Sequence, residues 1–141
     1  VYLSGGNPPY LAETLRGTRV WEAIQAAWEA GAALAGCSAG AMAMTGWVPH
    51  VRQRDLTPGP GLGVLPTWRV LPHFDRMKEW QPDLVEQVLV DLPDGHVVVG
   101  IDEETAVVRF DQDWVARGRQ GVHVFTREGR QTYLDGESVP L

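Results

Sequence analysis

Apolar residues occur along this chain in two patterns, short continuous runs and helix-like spacing, and the two alternate from the first residues onward. The runs that predict strands are 1–3, 32–35, 68–71 and 97–101. The segments that predict helices are 10–15, 18–31, 41–44 and 82–90. Four more strands with tight turns are predicted at 105–110, 114–117, 122–125 and 131–134. This order indicates an α/β fold, with a βαβ first part that has a parallel sheet and a C-terminal β-meander.

The second predicted helix begins after Thr18, a favourable N-cap, and ends at Gly31. Its apolar positions at helical spacing are Val20, Ile24, Ala27 and Trp28. The apolar run 32–35 that follows is expected to be a buried strand. By contrast, residues 45–66 are rich in glycine and proline near their end and predict a long loop, which in a compact domain is often functional.

Composition limits the function classes. The chain has 141 residues, of which 44% are hydrophobic, and this predicts a single globular domain over residues 1–141. The net charge of −6, without a basic cluster, argues against nucleic acid or an anionic membrane as a partner. One cysteine excludes an internal disulfide and a cysteine-based metal site. The chain carries no apolar run near the roughly 20 residues of a membrane span and no signal-peptide pattern.

The segment Gly36-Cys37-Ser38-Ala39-Gly40 is a G-x-S-x-G motif between a predicted strand and a predicted helix. In that context the motif predicts a nucleophile elbow, with the Ser38 hydroxyl exposed at the carboxyl end of the strand. Helix N–H groups behind it would stabilise an oxyanion. Cys37 is the other nucleophile in the motif, but it lies one residue early, and we expect its side chain to point toward the core.

A serine nucleophile needs a base, and four histidines are available. His73 directly follows a predicted strand, so it should share the carboxyl edge of the sheet with Ser38. His50, in the long loop, is the second candidate. His96 precedes a strand and should lie at the opposite edge, while His123 lies inside a strand and is expected to be structural or on the surface.

The base in turn needs an orienting carboxylate. Residues Asp102, Glu103 and Glu104 follow the buried strand 97–101 directly, so one of them is expected to hold the His73 imidazole. Asp75 and Asp55 are the weaker choices. The oxyanion hole is predicted from the Ala39 N–H together with an N–H of the Gly5-Gly6 pair, which follows the first strand.

Four motifs together resemble one family. They are Leu3-Ser4-Gly5-Gly6-Asn7, Gly36-Cys37-Ser38-Ala39-Gly40-Ala41, Leu71-Pro72-His73-Phe74 and Gly100-Ile101-Asp102-Glu103-Glu104-Thr105-Ala106. Their order and spacing are similar to those of the peptidase E / cyanophycinase family of serine exopeptidases, from residue 1 to about residue 125. The resemblance implies a fold like that of class I glutamine amidotransferases, a three-layer sandwich around a parallel sheet.

The resemblance also implies roles for single residues. Ser38 would be the nucleophile, His73 the base and Glu103 the orienting carboxylate, with Asp55 the alternative to Glu103. Gly5 and Gly6 match the family's oxyanion segment. In the same segment, Asn7 is expected to bind substrate.

Two features depart from the family pattern. Family members carry an N-terminal βαβα stretch that this sequence lacks, so we expect the chain to be the C-terminal two-thirds of the family domain. An N-terminal companion fragment and a second copy of the chain are therefore expected partners. In addition, the basic segment that helps peptidase E recognise an N-terminal aspartate corresponds here to residues 75–80, where Arg76 and Lys78 are the substitutes.

The sequence therefore predicts a cytoplasmic serine peptidase that hydrolyses dipeptides, Asp-X dipeptides among them, or short peptides, without a metal or another cofactor. An ester hydrolase with the same triad and a catalytically inactive binding module on the same fold are the two alternatives. A comparison of ester and dipeptide substrates separates the first, and labelling of Ser38 by a fluorophosphonate excludes the second.

Overall fold

Helices and strands alternate through the first part of the chain, and strands follow one another in its last third. The computed structural model describes residues 1–50 and 55–141, with side chains described except at positions 50, 55–58, 78 and 80. The helices are α1 (Pro8–Leu15), α2 (Arg19–Glu29), α3 (Ala39–Ala43), α4 (Phe74–Trp80) and α5 (Leu84–Val90). The strands are β1 (Tyr2–Leu3), β2 (Ala35–Gly36), β3 (Val48–His50), β4 (Asp55–Gly59), β5 (Trp68–Pro72), β6 (Val97–Ile101), β7 (Thr105–Phe110), β8 (Asp113–Gly118), β9 (Val122–Thr126), β10 (Gly129–Tyr133) and β11 (Ser138–Val139).

Side-chain caps start the first two helices. The Thr18 hydroxyl accepts the N–H of Trp21 at 3.2 Å, as the sequence predicts for the start of α2. Of the apolar positions that recur at helical spacing, Ile24 packs against the core, whereas Val20 is 61% and Trp28 39% exposed and Trp21 is buried instead. Trp21 packs with Leu3 and other apolar residues of the first part of the chain, so the helix turns a neighbouring face inward.

The chain divides into two compact units, residues 1–69 and 70–141. In the first unit β1 and β2 pair in parallel, with Tyr2 opposite Ala35 and Leu3 opposite Gly36. The prediction of a buried strand at 32–35 is wrong in two respects. Only residues 35–36 are strand, and Ala35 is exposed. Among the described residues this sheet has two strands, so no third strand covers the apolar run.

The predicted loop 45–66 contains a hairpin instead. Strands β3 and β4 pair antiparallel, with Val48 opposite Gly59, and residues 51–54 between them lie outside the described part. The prolines of these two strands do not prevent pairing. Pro49 lies opposite Pro58, so the two positions that lack an N–H donor face each other. The buried core of this unit includes a cluster of Leu3, Ala12, Trp21, Ala43, Met44, Val48 and Leu62.

The second unit contains two sheets. One has the strand order β10-β9-β6-β5 and the other β11-β8-β7. Strand β9 pairs antiparallel with β6 rather than with β8, so the last strands form two hairpins in different sheets and not the predicted meander. The physical reason lies in residues 118–121, which donate hydrogen bonds to the turn after β6: Arg119 N–H to Glu104 O at 3.0 Å and Gly121 N–H to Asp102 Oδ2 at 3.1 Å.

These bonds hold the segment after β8 next to the end of β6, so the strand that follows, β9, pairs with β6. Strand β6 is the buried strand that its run of valines predicts, since Val98 and Val99 are fully buried. Helix α5 is confirmed, whereas α4 was not predicted. The chain is thus a mixed α/β protein, and the parallel three-layer arrangement and the single domain over residues 1–141 stay predictions.

Candidate active site

Ser38 lies at a sharp turn between strand β2 and helix α3. Its backbone dihedral angles are φ 52° and ψ −112°, a conformation that residues with a Cβ rarely adopt. Such a residue costs on the order of 1–3 kcal/mol and persists only where the surrounding chain holds it. The turn is fixed on both sides, because Gly40 N–H donates to Cys37 O at 2.9 Å and Met42 N–H donates to Ser38 O at 3.1 Å. The local geometry is therefore that of a strained strand-to-helix turn with a serine at its tip.

The two glycines of the motif are required by close packing. A Cβ on Gly36 would lie 2.6 Å from the backbone carbon of Gly40, and a Cβ on Gly40 would overlap the carbonyl oxygen of Leu3. Neither neighbour is the end of a flexible side chain that could move aside. The motif thus packs α3 directly onto β1, which positions Ser38 from behind.

Gly40→Ala is therefore expected to destabilise the fold by about 3 kcal/mol or more, because backbone must move to make room. Urea unfolding followed by circular dichroism measures the change. Gly59→Ala is the matched control, since its Cβ would meet Val48 O at an ordinary contact distance of 3.5 Å. Equal stability of the two variants would contradict the packing described for the elbow.

The backbone of Gly5 lies beside Ser38. A Cβ on Gly5 would be 3.5 Å from Ser38 Cβ and 3.9 Å from Ser38 Oγ. Gly6 has φ +145°, a conformation that favours glycine. The structure thus brings the predicted oxyanion segment next to the predicted nucleophile within the first unit. Ala39, the third predicted contributor, is buried at the first position of α3.

Asn7 has a structural contact that the sequence did not predict. Its Oδ1 accepts the N–H of Tyr10 at 3.0 Å and caps helix α1, which begins with two prolines. The cap fixes the side chain through its oxygen. A role for Asn7 in substrate binding stays a prediction, for which the two amide N–H donors are available beside the capping oxygen.

Cys37 does not point into a core as expected, because its side chain is exposed. The side chain forms a hydrogen bond with the Tyr2 hydroxyl, and this bond is the main reason why the pKa of Tyr2 is raised above its ordinary value. Tyr2 is paired with Ala35 in the parallel strands β1 and β2, and Cys37 lies two residues beyond Ala35, on the same side of the pair. Nothing in this arrangement supplies Cys37 with a base.

His73 and Glu103 meet in the second unit. The distance from His73 Nδ1 to Glu103 Oε1 is 3.2 Å, and the two side chains are 41% and 42% exposed. His73 follows β5 at the start of α4 and has a left-handed backbone with φ 52° and ψ 40°. An ionised carboxylate only accepts hydrogen bonds, so Nδ1 carries the proton and Nε2 is left as the acceptor. A histidine in this tautomer is prepared to take a proton at Nε2.

The three acidic residues after β6 have three different partners. Asp102 turns inward and its Oδ2 lies 2.9 Å from Nε2 of the buried His123. Glu103 faces His73, and Glu104 pairs on the surface with Arg119 at 3.0 Å. Only Glu103 is therefore in contact with a predicted base.

Asp75 and Arg76 support Glu103, and sequence reasoning missed both of these contacts. Asp75 Oδ1 accepts the Glu103 N–H at 2.9 Å, and Arg76 Nε lies 3.7 Å from both the Glu103 and the Asp75 carboxylates. Burial raises the pKa of Asp75. This effect is outweighed by hydrogen bonds from the backbone N–H groups of Glu103 and Asp75 and from the Gln120 amide, and by the charge of Arg76. The pKa of Asp75 therefore lies below its ordinary value. The proximity of Asp75 to His73 in sequence was the signal that could have indicated this role.

Asp75→Asn is expected to lower the free energy of unfolding at neutral pH by about 1 kcal/mol, because the amide keeps an acceptor but loses the charge. The folded-state pKa of Asp75 is depressed, so the charge stabilises the fold above the ordinary value of 3.8 and loses this effect as the pH falls through the lower folded value. Unfolding curves across this acidic range should therefore converge with those of the wild type. A difference that stays constant with pH would contradict a charge effect.

The remaining candidates lie apart from this pair or beyond the described side chains. His96 is at the start of β6, where its Nδ1 lies 3.3 Å from Asp94 O, and His123 is buried within β9. The side chains of His50, Asp55 and Lys78 lie outside the described residues. The backbone of His50 belongs to β3 and that of Asp55 to β4.

Metal-ligating side chains do not cluster in threes within residues 1–50 and 55–141 as described. In the same part of the chain, none of the helices has the length and apolar character needed to cross a membrane.

Solved structures of other proteins are similar to this chain. The chain matches a solved peptidase from an acI-B1 Actinobacterium with 39% sequence identity and a TM-score of 0.85, over 99% of this chain and 58% of that one. It also shares its fold with a candidate peptidase E protein from Listeria monocytogenes EGD-e, with 21% identity and a TM-score of 0.62, over 84% of this chain and 59% of that one. The chain thus spans less than two-thirds of either protein. A comparison with curated proteins found no significant match.

The family model of peptidase family S51 matches residues 1–116. This range contains all four motifs on which the resemblance to peptidase E rests, from Gly5-Gly6 to Glu103. The match covers most of the chain, and the actinobacterial structure extends over nearly all of it. The chain therefore belongs to peptidase family S51.

Proposed function

We propose that this chain carries the catalytic residues of a serine exopeptidase that hydrolyses dipeptides or short peptides. Ser38 is the nucleophile, His73 the general base and Glu103 the carboxylate that orients His73. The N–H groups of Ala39 and of the Gly5-Gly6 segment stabilise the oxyanion. Membership of peptidase family S51 supports a hydrolase of peptide bonds.

In the proposed reaction, Ser38 Oγ attacks the carbonyl carbon of the peptide bond while His73 Nε2 takes its proton. The tetrahedral intermediate collapses to an acyl-enzyme, and His73 returns the proton to the leaving amine. Water then attacks the acyl carbon with His73 again as base, which releases the carboxylic acid and restores Ser38. Each turnover thus consumes one peptide bond and one water.

The backbone of Ser38 is the observation that carries this proposal. A non-glycine residue held at φ 52° and ψ −112° directly after a strand costs free energy that a glycine would not. The strain is explained if the turn must present a hydroxyl. The contact between His73 and Glu103 supplies a base with the tautomer that the reaction needs.

The surroundings of Arg76 do not favour aspartate as the substrate side chain. Arg76, which could have bound a substrate carboxylate, lies between the carboxylates of Asp75 and Glu103. A cation already paired with two carboxylates has less to gain from a third. The proposal is therefore limited to short peptides as a class.

Glu103→Gln is expected to lower kcat by about 10²–10⁴-fold, because the amide no longer stabilises the imidazolium that forms in the transition state. Asp102→Asn should lower kcat less, and Glu104→Gln should leave it near the wild-type value, since Glu104 pairs only with Arg119 on the surface. Steady-state kinetics of the three variants measure this order. If Glu103→Gln matched Glu104→Gln while Asp55→Asn were crippled, the orienting carboxylate would be Asp55.

A substrate panel tests the proposed class of reaction. Dipeptides of varied first residue, blocked dipeptides and simple carboxylic esters are incubated with the protein, and products are identified by mass spectrometry. Cleavage of unblocked dipeptides or short peptides, lost in Ser38→Ala, is expected. Turnover of esters alone would instead make the protein an ester hydrolase, and no turnover of any substrate would favour an inactive binding module.

A further inference from the structure

The segments that carry His73 and Glu103 adjoin a buried carboxylate–imidazole pair, Asp102 and His123, which the proposed mechanism does not use. Asp102 Oδ2 lies 2.9 Å from His123 Nε2, and the two side chains are 9% and 6% exposed. The other carboxylate oxygen, Asp102 Oδ1, is buried without a hydrogen-bond partner in the described residues. Apolar side chains of similar volume often stabilise a core as well as such a pair does. Stability alone therefore does not explain why the core contains this pair.

The hydrogen bonds of His123 define which nitrogen carries its proton. Arg130 Nη2 and Thr132 Oγ1 each lie 2.9 Å from His123 Nδ1. A guanidinium only donates hydrogen bonds, so Nδ1 is an acceptor and the proton is on Nε2. His123 thus donates to Asp102 and accepts from Arg130, which places a neutral ring between a carboxylate and a cation.

Asp102 in turn fixes the peptide that leads into Glu103. Its N–H donates to Gly121 O at 3.2 Å, and its Oδ2 accepts the Gly121 N–H at 3.1 Å. With the bond from His123, three hydrogen bonds hold Asp102 against the start of β9. The residue directly before Glu103 therefore has little freedom to move.

The His123 ring also contacts the residue that follows His73. The ring centroids of Phe74 and His123 are 5.0 Å apart, with an angle of 47° between the planes. Phe74 is 2% exposed, and Gly100 leaves the space for its ring, since a Cβ there would lie 2.7 Å from Phe74 Cγ. The buried pair thus includes the residue before Glu103 and contacts the residue after His73.

The contact between His73 and Glu103 needs such support. The two side chains are more than 40% exposed and 3.2 Å apart, and even a fully charged pair of that exposure would contribute little. Such a contact is too weak to hold two side chains in one geometry against the entropy of their rotamers. The orientation must come from the segments on which His73 and Glu103 sit.

We propose that Asp102 and His123 are positioning residues, which tie the segment of Glu103 to that of His73 and so keep the His73 Nδ1–H directed at the carboxylate. This inference rests on the proposed function for its effect on rate. Its effect on His73 itself does not depend on any activity. A pair that is merely structural would change stability and leave the His73 tautomer as it is.

The experiment combines ¹⁵N NMR of the histidine rings with kinetics. Long-range ¹H–¹⁵N spectra of the full chain report which His73 nitrogen is protonated. We expect Nδ1–H in the wild type and a growing share of Nε2–H in Asp102→Asn and in His123→Gln. Where peptidase activity is present, kcat should fall on the order of 10–100-fold while KM changes little. The glutamine variant keeps an N–H near the position of Nε2, so Asp102 retains a donor and folding is protected.

Val139→Ala is the control, because it also truncates a fully buried side chain of the second unit but lies in the other sheet. It should keep the His73 tautomer at any comparable loss of stability. If both buried variants failed to fold, Arg130→Met would replace them, because it removes the exposed guanidinium that donates to His123 Nδ1. This variant is expected to change the His73 tautomer in the same direction, to a smaller extent. Unchanged Nδ1–H in every folded variant would overturn the inference, even in a protein without peptidase activity. A wild type that shows Nδ1–H but no hydrolysis would refute the proposed function and leave the positioning to be judged by the spectra.

Discussion

Ser38→Ala should abolish peptide hydrolysis, with kcat reduced by about 10³–10⁶-fold. The loss is expected because no other hydroxyl in the elbow occupies the tip of the turn, and removal of a nucleophile stops acyl-enzyme formation. Stability should change little, since alanine carries the same Cβ into the same strained backbone. Initial rates on the best peptide substrate, with urea unfolding alongside, measure both effects.

Ser38→Gly separates the strain from the chemistry. It should be as inactive as Ser38→Ala and more stable than that variant by about 1 kcal/mol, because glycine adopts positive φ without the penalty that a Cβ brings. A clean Ser38→Ala preparation that kept about a tenth of the wild-type kcat would show that Ser38 is not the nucleophile. A glycine variant no more stable than the alanine variant would show that the turn is not strained.

His73→Ala should be nearly as damaging as Ser38→Ala, with kcat reduced by about 10³-fold or more. The reason is that His73 holds Glu103 through Nδ1 and so keeps Nε2 as a proton acceptor. His73→Asn is the companion variant, since asparagine tolerates the left-handed backbone at this position and keeps the start of α4 intact. Single-turnover kinetics with an activated ester report the acylation step directly.

His96→Ala is the matched control, because the described contact of His96 is with Asp94 O at the start of β6. Its kcat should equal that of the wild type. His123 is not a neutral control, since its ring is buried and paired with Asp102. Wild-type activity in His73→Ala, together with its loss in His50→Ala, would move the base to the hairpin of β3 and β4.

The local features of the site could be predicted from the sequence, because they depend on neighbouring residues. A glycine two residues before and two residues after Ser38, with a strand before the motif and a helix after it, predicts an elbow from local sequence, and the structure has a strained turn there. A histidine at the end of a buried strand can also be recognised from its neighbours in the sequence. The choice of Glu103 among three acidic residues came from the family resemblance, and the contact of its carboxylate with His73 agrees with it.

Contacts that depend on distant parts of the chain could not be predicted. Asp102 pairs with a histidine 21 residues further on, and Asp75 binds the N–H of a residue 28 positions away. Hydropathy also misjudged exposure at Ala35 and Cys37, since an apolar run indicates a strand but not how many strands cover it. The hairpin in residues 45–66 was missed because its prolines and glycines are typical of loops.

Covalent labelling tests most directly the proposal that Ser38 is an activated nucleophile. The intact chain is treated with a fluorophosphonate probe, digested and analysed by mass spectrometry, with Ser38→Ala and His73→Asn as parallel samples. We expect one phosphonylated residue, Ser38, with a labelling rate that falls sharply in His73→Asn and no label in Ser38→Ala. Absence of label from the folded wild-type protein, or label on another residue that persists in Ser38→Ala, would contradict it.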